Sequence, residues 1–539
     1  MYQPPPQNAS PSPKPISNRK LRKPHFVRAQ QAWKNLRATF SVLEDSNLLR
    51  YQRVLGLGGF GLVQLWQMYK ADGSPDRNVA VKITTAPGQK SRVESMKNEI
   101  WWSKASGIRE AFYNTLNILT YHELLQLFKG CEHLVQLVDI PDDIAKAMDI
   151  NNEFADTAPI MIMEELGRGS LYDLLTRMVN AVRTNILAQS DYKIIEYIPS
   201  RVLWRIFLCL TRACIGMAYP PVLDGSDQST KIRETVKPGM VARKIVHMDI
   251  DPQNIFVSEL DTATFDAEHS HVPVVKIADY GCMTEWHDEW DDRTKLSMLW
   301  GKHDYKAPEQ FDSNRALTPN AIGTQTNIWG IGITMYNLIS HRYIRRNTRE
   351  ARYRLVLNGT SMVRTYGWRL LASTDEPIIA DYRNADLELR ELAARCMCED
   401  PWQRPTLSEL HDRCIANINK GNDDAVAAAM GLFPGSLPFV PGAPPPNPFM
   451  EDESYTKRRP LGQPEPDELL VKFYRDYFLD APPVTDPYED YWSKPPVPDE
   501  EEPPPLIVPP PPPPAALVHA QSVRDESAPK DQANTNKSI

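Results

Sequence analysis

The sequence predicts an α+β fold with two unequal parts, a small β-rich one followed by a larger helical one. Three observations carry this reading: β-prone runs flank a glycine-dense turn near residue 56, apolar helical stretches dominate later, and proline-dense ends bracket the foldable middle. With 539 residues, 42% of them hydrophobic, the chain can bury a large core. A formal net charge of -8 gives no general affinity for nucleic acid or anionic membrane.

Seven cysteines, odd in number and irregularly spaced, read as reduced thiols and not as a disulfide framework. Cys396 and Cys398 stand too close to form half of an ordinary zinc site. No apolar run approaches the ~20 residues that span a bilayer, and "MYQPPPQNAS" lacks a signal peptide's apolar stretch. The expectation is a soluble chain of the cytoplasm or nucleus.

Residues 1–47 read as a disordered Pro-rich arm, with the basic cluster Arg19, Lys20, Arg22 and Lys23, followed by a short helix. Trp33, Leu36, Phe40 and Leu43 recur at helical spacing there, so the helix should pack on the domain behind it. At the other end, residues 432–539 hold "FPGSLPFVPGAPPPNPF" and "EEPPPLIVPPPPPPAALV". Proline fixes its own φ and lacks an amide hydrogen, so these runs favour extended polyproline II. They offer a ligand for an SH3, WW, EVH1 or profilin-type groove, or simply a solubilising extension. Within this tail, "LLVKFYRDYFLD", 469–480, is apolar enough for a short docking helix.

The middle opens with "LRYQRVLGLGGFGLVQLWQMYK", two β-prone runs around a glycine turn, and "NVAVKIT" follows as a third. Glycines let backbone amides approach anionic oxygens without obstruction. The motif lies between strands and opens no helix, which points away from a dinucleotide fold and toward a flap over a triphosphate.

With the further segments "IMIMEELGRGSLYDLL", "HMDIDPQN", "IADYGC", "KAPE" and "EDPWQRPT" following in order, the chain resembles the eukaryotic protein kinases. The resemblance spans residues 48–418 and implies a two-lobed fold: a small lobe over 48–165, a large lobe over 166–418, and ATP with Mg2+ between them. It implies that Gly56, Gly58 and Gly61 cover the phosphates, and that Val63 and Ala80 meet the adenine. Lys82 of "VAVK" would lie between the α- and β-phosphates and a helix glutamate. Glu99 has the usual separation from that lysine, and Glu123 is the alternative. Met163 would be the gatekeeper, the Glu164 carbonyl and Leu166 amide would meet the base, and Asp173 would approach the ribose.

Two polar, turn-rich stretches, 219–243 and 258–273, read as surface insertions. His269 and His271 in the second would be exposed, and His133 would be a turn residue.

In the catalytic-loop pattern H-R-D-L-K-P-x-N, this chain reads His247, Met248, Asp249, Ile250, Asp251, Pro252, Gln253 and Asn254. By resemblance Asp249 orients the acceptor hydroxyl, while Asn254 and Asp279 hold magnesium. Met248 replaces the arginine that gathers a phosphorylated activation loop, which implies regulation independent of Thr284, Thr294 or Ser297 phosphorylation. Asp251 replaces a lysine. A carboxylate facing a γ-phosphate costs about 4 kcal/mol at 4 Å and an effective dielectric of 20, enough to slow transfer about a thousandfold.

A remedy lies farther along. Where the Ser/Thr type carries a threonine that contacts both the catalytic Asp and the missing lysine, "GKHDYKAPE" has Lys302. Lys302 is therefore expected to pair with Asp251 and restore the positive charge. Ala307, Pro308 and Glu309 form the Ala-Pro-Glu motif, with Arg404 as the counter-ion of Glu309. Asn327 replaces the usual aspartate beneath the catalytic loop; its amide oxygen still accepts a hydrogen bond, without charge assistance. The function expected is phosphoryl transfer from ATP to a Ser/Thr hydroxyl of a protein substrate. The competing reading is an ATP-binding pseudokinase scaffold.

Overall fold

A computed structural model describes residues 24–57, 61–70, 72–84, 127–138, 160–187, 192–221, 231–260, 268–269, 271–343, 352–356, 361–371, 380–432, 457 and 463–481. Gly58, Glu99 and Glu123 lie outside the described residues, as do most of the Pro-rich ends. Residues 1–494 form the compact unit to which the following refers.

The chain enters through α1 (Pro24–Thr39) and the short α2 (Ser41–Asp45). A proline at the first helical position suits α1, since the amide it lacks would be unpaired there. Phe26, Ala29, Ala32 and Leu36 are spaced to share one helix face and, with Phe40 and Leu43 beyond it, are buried against the sheet. Phe40 meets the Trp66 ring edge-on at 4.9 Å, and Arg37 lies 4.5 Å over the Tyr51 ring.

That sheet is antiparallel, in the order β1 (Leu49–Leu57), β2 (Gly61–Tyr69), β3 (Pro75–Thr84) and β4 (Ile160–Glu164). Register aligns Gly56 with Val63, Val63 with Lys82, and Lys82 with Met161. Four positions, one from each strand, thus share one transverse line across the sheet. Gly61 is needed where it stands: a Cβ there would lie 2.7 Å from the Ile83 carbonyl oxygen.

The larger lobe is built around α4 (Ser200–Ala218), every residue of which is buried. Before it runs α3 (Leu171–Leu187). Two short ladders follow, β5 (Ile245–Val246) with β8 (Thr284–Glu285), and β6 (Ile255–Val257) with β7 (Val275–Ile277). They hold the 247–254 loop and Asp279 side by side. Then come α5 (Asp292–Ser297), α6 (Ser313–Ala316), the buried α7 (Thr324–Ser340), the hairpin β9 (Arg352–Val356) and β10 (Ser361–Thr365), and α8 (Leu387–Cys396). The helix α9 (Leu407–Ala429) starts at a Thr406 side chain that accepts from the Glu409 amide at 3.1 Å, and it continues past residue 418.

The last described helix, α10 (Asp467–Tyr474), continues as a π-turn over Arg475–Leu479. Leu469, Leu470, Phe473, Tyr477 and Phe478 join the core of the large lobe. All seven cysteines are free, six of them buried. Among the described residues no helix is long and apolar enough to cross a membrane.

Within the two stretches expected to be surface insertions, some of the described residues are tied inward instead. Glu234 is buried and accepts the His133 amide at 2.9 Å, and the Ile232 amide donates to the Gly130 carbonyl at 2.8 Å. His269, expected to be exposed, is 7% exposed and lies beside His133. Its neighbour Glu268 draws the loop in by pairing with the buried Arg212.

Candidate active site

A cavity of about 500 Å³ opens between the lobes, a size suited to a nucleotide. Its roof is Gly56, Gly61, Val63, Ala80 and Lys82; its rear and rim include Met161, Met163, Glu164 and Leu166; its floor includes Asn254, Ala278 and Asp279. Asp173 also lines it, but its carboxylate takes the Ser170 amide and hydroxyl, at 2.8 and 2.7 Å, at the start of α3. Glu164 turns its side chain away to Lys276, at 2.8 and 2.9 Å.

Lys82 crosses the cleft to Asp279, with its ammonium 3.0 Å from the carboxylate. Asp279 itself adopts a left-handed backbone, φ 62°, which turns its side chain out of β7 toward the cavity. The next residue holds that turn. The Tyr280 hydroxyl lies 3.0 Å from both the Val135 and Ile277 carbonyls, and its ring meets His247 edge-on at 5.8 Å. The hydroxyl that distinguishes this residue from Phe therefore ties Asp279 to the segment feeding the sheet.

The loop below is fixed from several directions. The Asn327 amide oxygen accepts the His247 amide at 3.0 Å while its Nδ2 donates to the Ile245 carbonyl at 2.8 Å. An aspartate could only accept; the amide clamps both ends of β5. His247 Nε2 lies 3.0 Å from the Ala278 carbonyl, and burial holds the imidazole's pKa down against the pull of Asp249 and Asp279.

Asn254 donates from Nδ2 to the Asp249 carbonyl and carboxylate, both at 2.9 Å. This fixes the loop end to end and leaves the Asn254 amide oxygen as its remaining acceptor. With Asp279 it makes an oxygen donor set of the kind a hard divalent cation takes.

Lys302 reaches the same loop. Its backbone amide donates to Asp249 at 2.9 Å, its ammonium bonds the Asp251 carboxylate, and the same ammonium lies 3.8 Å from Asp249 and 3.2 Å from the Gln253 side-chain oxygen. Asp251 is fully buried and also caps the following turn by accepting the Gln253 amide at 2.6 Å. Burial pushes the Asp251 carboxyl upward, and Lys302 works against that shift. For Lys302, burial favours the neutral amine, but Asp251 and Asp249 outweigh it and the ammonium is strengthened. Both groups are thus shifted toward holding a proton, and the Lys302 ammonium, facing two carboxylates with one side partly open, keeps its charge beside the loop.

Met248 sits in a left-handed backbone, φ 66°, within an apolar cluster of Val246, Trp286, Trp290 and Ile322. Tryptophans of the activation segment thus pack where a cation would otherwise wait for phosphate. Thr284 is buried in β8, while Thr294 and Ser297 hydrogen-bond within their own helix. Deeper in the lobe, Arg404 grips Glu309 through two 2.7 Å contacts, both side chains fully buried.

Sequence reasoning missed one wall of the cleft. Phe478, Leu479 and Ala481 line it beside Leu166 and Gly167. The Arg168 and Arg177 guanidinia hold them there, donating to the Phe478 and Tyr477 carbonyls at 3.0 and 2.6 Å. The apolar run at 469–480 signalled a docking helix, but nothing in it named the surface.

A four-stranded sheet over a helical lobe, with Lys82 and Asp279 joined across the cleft and Asp249 beneath, defines the protein-kinase class of fold. Comparison with known proteins agrees: residues 232–414 match the protein kinase domain family. A calcium and calcium/calmodulin-dependent serine/threonine-protein kinase of Pisum sativum is 26% identical over 160 residues, 29% of this chain and 26% of that one. The serine/threonine-protein kinase STE20 of Saccharomyces cerevisiae is 21% identical over 373 residues, 66% of this chain and 34% of that one. The chain thus spans about a quarter to a third of the length of these relatives. Over these residues the chain is similar to the protein kinase domain family and to kinases of the serine/threonine type.

Proposed function

We propose that this chain is an active protein kinase that transfers the γ-phosphoryl group of ATP to a serine or threonine hydroxyl of a protein. Bound ATP supplies the phosphoryl group, and a divalent cation, magnesium in this reading, offsets its charge. Gly56, Gly61 and Val63 roof the nucleotide, Lys82 supports its phosphates, and Asn254 and Asp279 hold the cation. Asp249 orients the acceptor hydroxyl and takes its proton.

The observation that carries this reading is the Lys302 ammonium, which bonds Asp251 while lying 3.8 Å from Asp249. It returns a cation to the place where Asp251 would otherwise repel the transferring group. Pro252 beside it fits acceptors of the serine/threonine class. The test is transfer of labelled phosphate from ATP to a generic protein substrate with magnesium, beside Asp249→Ala. Transfer that Asp249→Ala abolishes supports the reading; nucleotide binding without transfer makes the chain a pseudokinase scaffold.

A further inference from the structure

Away from the cleft, His133, Cys209 and His269 converge in the interior, their candidate ligand atoms all within 4.8 Å of one another. They come from three separate places: the segment that bridges to β7, the middle of α4, and the 258–273 stretch. All three are buried, and the Cys209 thiol is free of any disulfide. The two imidazole centroids stand 5.7 Å apart, the rings tilted by 40°.

His133 is already oriented. Its Nδ1 lies 2.6 Å from one Glu234 carboxylate oxygen, and its backbone amide donates to the other at 2.9 Å. Its Nε2 is buried and faces the Cys209 thiol, with no hydrogen bond of ordinary geometry among the described residues. A buried nitrogen left without a good partner is costly, so an arrangement that employs it is favoured.

We propose that His133, Cys209 and His269 form a metal site that takes one zinc ion. Two imidazoles and a thiolate are donors that zinc accepts in tetrahedral geometry, with the fourth position taken by water. A carboxylate on the far nitrogen of a ligating histidine is the outer support such sites use, and Glu234 stands in that place. Binding releases to solvent both the Cys209 thiol proton and the Nε2 proton of the His133 imidazolium that Glu234 favours, so the ion is held by a thiolate and neutral imidazoles.

The ion ties α4 to the segment before β7. The His133 carbonyl accepts the Ile277 amide at 3.0 Å, and Val135 donates to the Ile277 carbonyl at 3.0 Å, two residues ahead of Asp279. A metal here braces the strand that presents Asp279 to the cleft without touching substrate.

The test measures metal in the full chain, purified without chelator, by elemental mass spectrometry. One zinc per chain is expected, and replacement by cobalt should give a thiolate-to-cobalt absorption band. Cys209→Ser should abolish that band, and Cys209→Ser and His269→Asn should each lower zinc content at least about tenfold. His303→Asn, at an exposed histidine, should leave both unchanged. Wild-type chain that neither carries zinc nor takes it up stoichiometrically from added zinc chloride overturns the proposal, whatever the variants do. So does full zinc retention in folded Cys209→Ser and His269→Asn chains.

Discussion

Lys302 contacts Asp249 through its backbone amide, at 2.9 Å, and Asp251 through its ammonium, so one residue joins both carboxylates of the catalytic loop. Lys302→Met should lower kcat by about 100-fold to 1000-fold, the range expected when a preorganised cation is lost. It should also cost about 2 kcal/mol of stability, less than a fully buried pair because Lys302 is partly exposed. Asp251→Lys alone places two ammonium groups together and should be equally damaging. Combining Asp251→Lys with Lys302→Thr should return kcat to within about tenfold of the parent. Purely additive losses in phosphate-transfer assays would rule out the coupling.

Gly301 precedes that lysine with φ at +101°, and a Cβ there would stand 2.0 Å from the Met248 carbonyl oxygen. Neither atom belongs to a flexible side chain, so Gly301→Ala must move one backbone segment off the other. Because Lys302 and Asp249 are the adjoining residues, kcat should fall by about 100-fold, the effect of a displacement near 1 Å, while KM for ATP changes little. Steady-state kinetics with an unchanged kcat would show that the two segments need not touch.

How far the sequence reveals this site depends on whether partners are near in pattern or only in space. Lys82, Asp249, Asn254 and Asp279 stand in motifs whose order alone assigns them, and the pairing of Lys302 with Asp251 is legible because two departures from one pattern answer each other. Leu36, Phe40 and Leu43 announce a packed helix by spacing, and all three are buried beside Trp66. His133, Cys209 and His269 lie in unrelated segments with no periodic relation, so each alone reads as a turn, a core thiol or a loop residue. Their meeting depends on Glu234 and Glu268, anchors drawn from the two stretches that look like solvent-facing loop, the first holding His133 and the second Arg212 of α4. Asn327 was legible as an acceptor, but its second hydrogen bond, to Ile245, emerges only from strand placement.

Arg404 and Glu309 form a two-contact pair with no solvent access to either side chain. Such a pair adds little over an apolar replacement, yet losing one partner strands the other. Arg404→Ala should therefore cost about 3–5 kcal/mol of unfolding free energy by urea titration. Replacing both residues with apolar ones should recover part of that loss, though the Gln325 and Cys398 carbonyls that Arg404 also serves would stay unpaired. A double variant as unstable as Arg404→Ala would assign the whole effect to those carbonyls.

Phe478 is 7% exposed and closes the cleft wall beside Leu166, on a turn that lies more than 300 residues along the chain from it. The turn is held by main-chain contacts from Arg168 and Arg177 and by Asp476, which accepts the Ile195 amide at 3.0 Å, so its backbone should survive loss of the ring. Phe478→Ala then removes apolar wall together with the ring's packing on Phe473 and Tyr474. Each 1.4 kcal/mol of lost binding is tenfold in affinity, and a ring only partly shared with the nucleotide should forfeit about 1 kcal/mol. KM for ATP should rise about fivefold with kcat changed less than about twofold, because the ring meets bound nucleotide and not the reacting oxygens. Val471→Ala, on the exposed face of the same helix, should leave both constants unchanged. If Phe478→Ala keeps the parental KM while truncation before residue 463 raises it, the segment acts on the cleft as a brace for Arg168 and Arg177 and its ring has no part in binding.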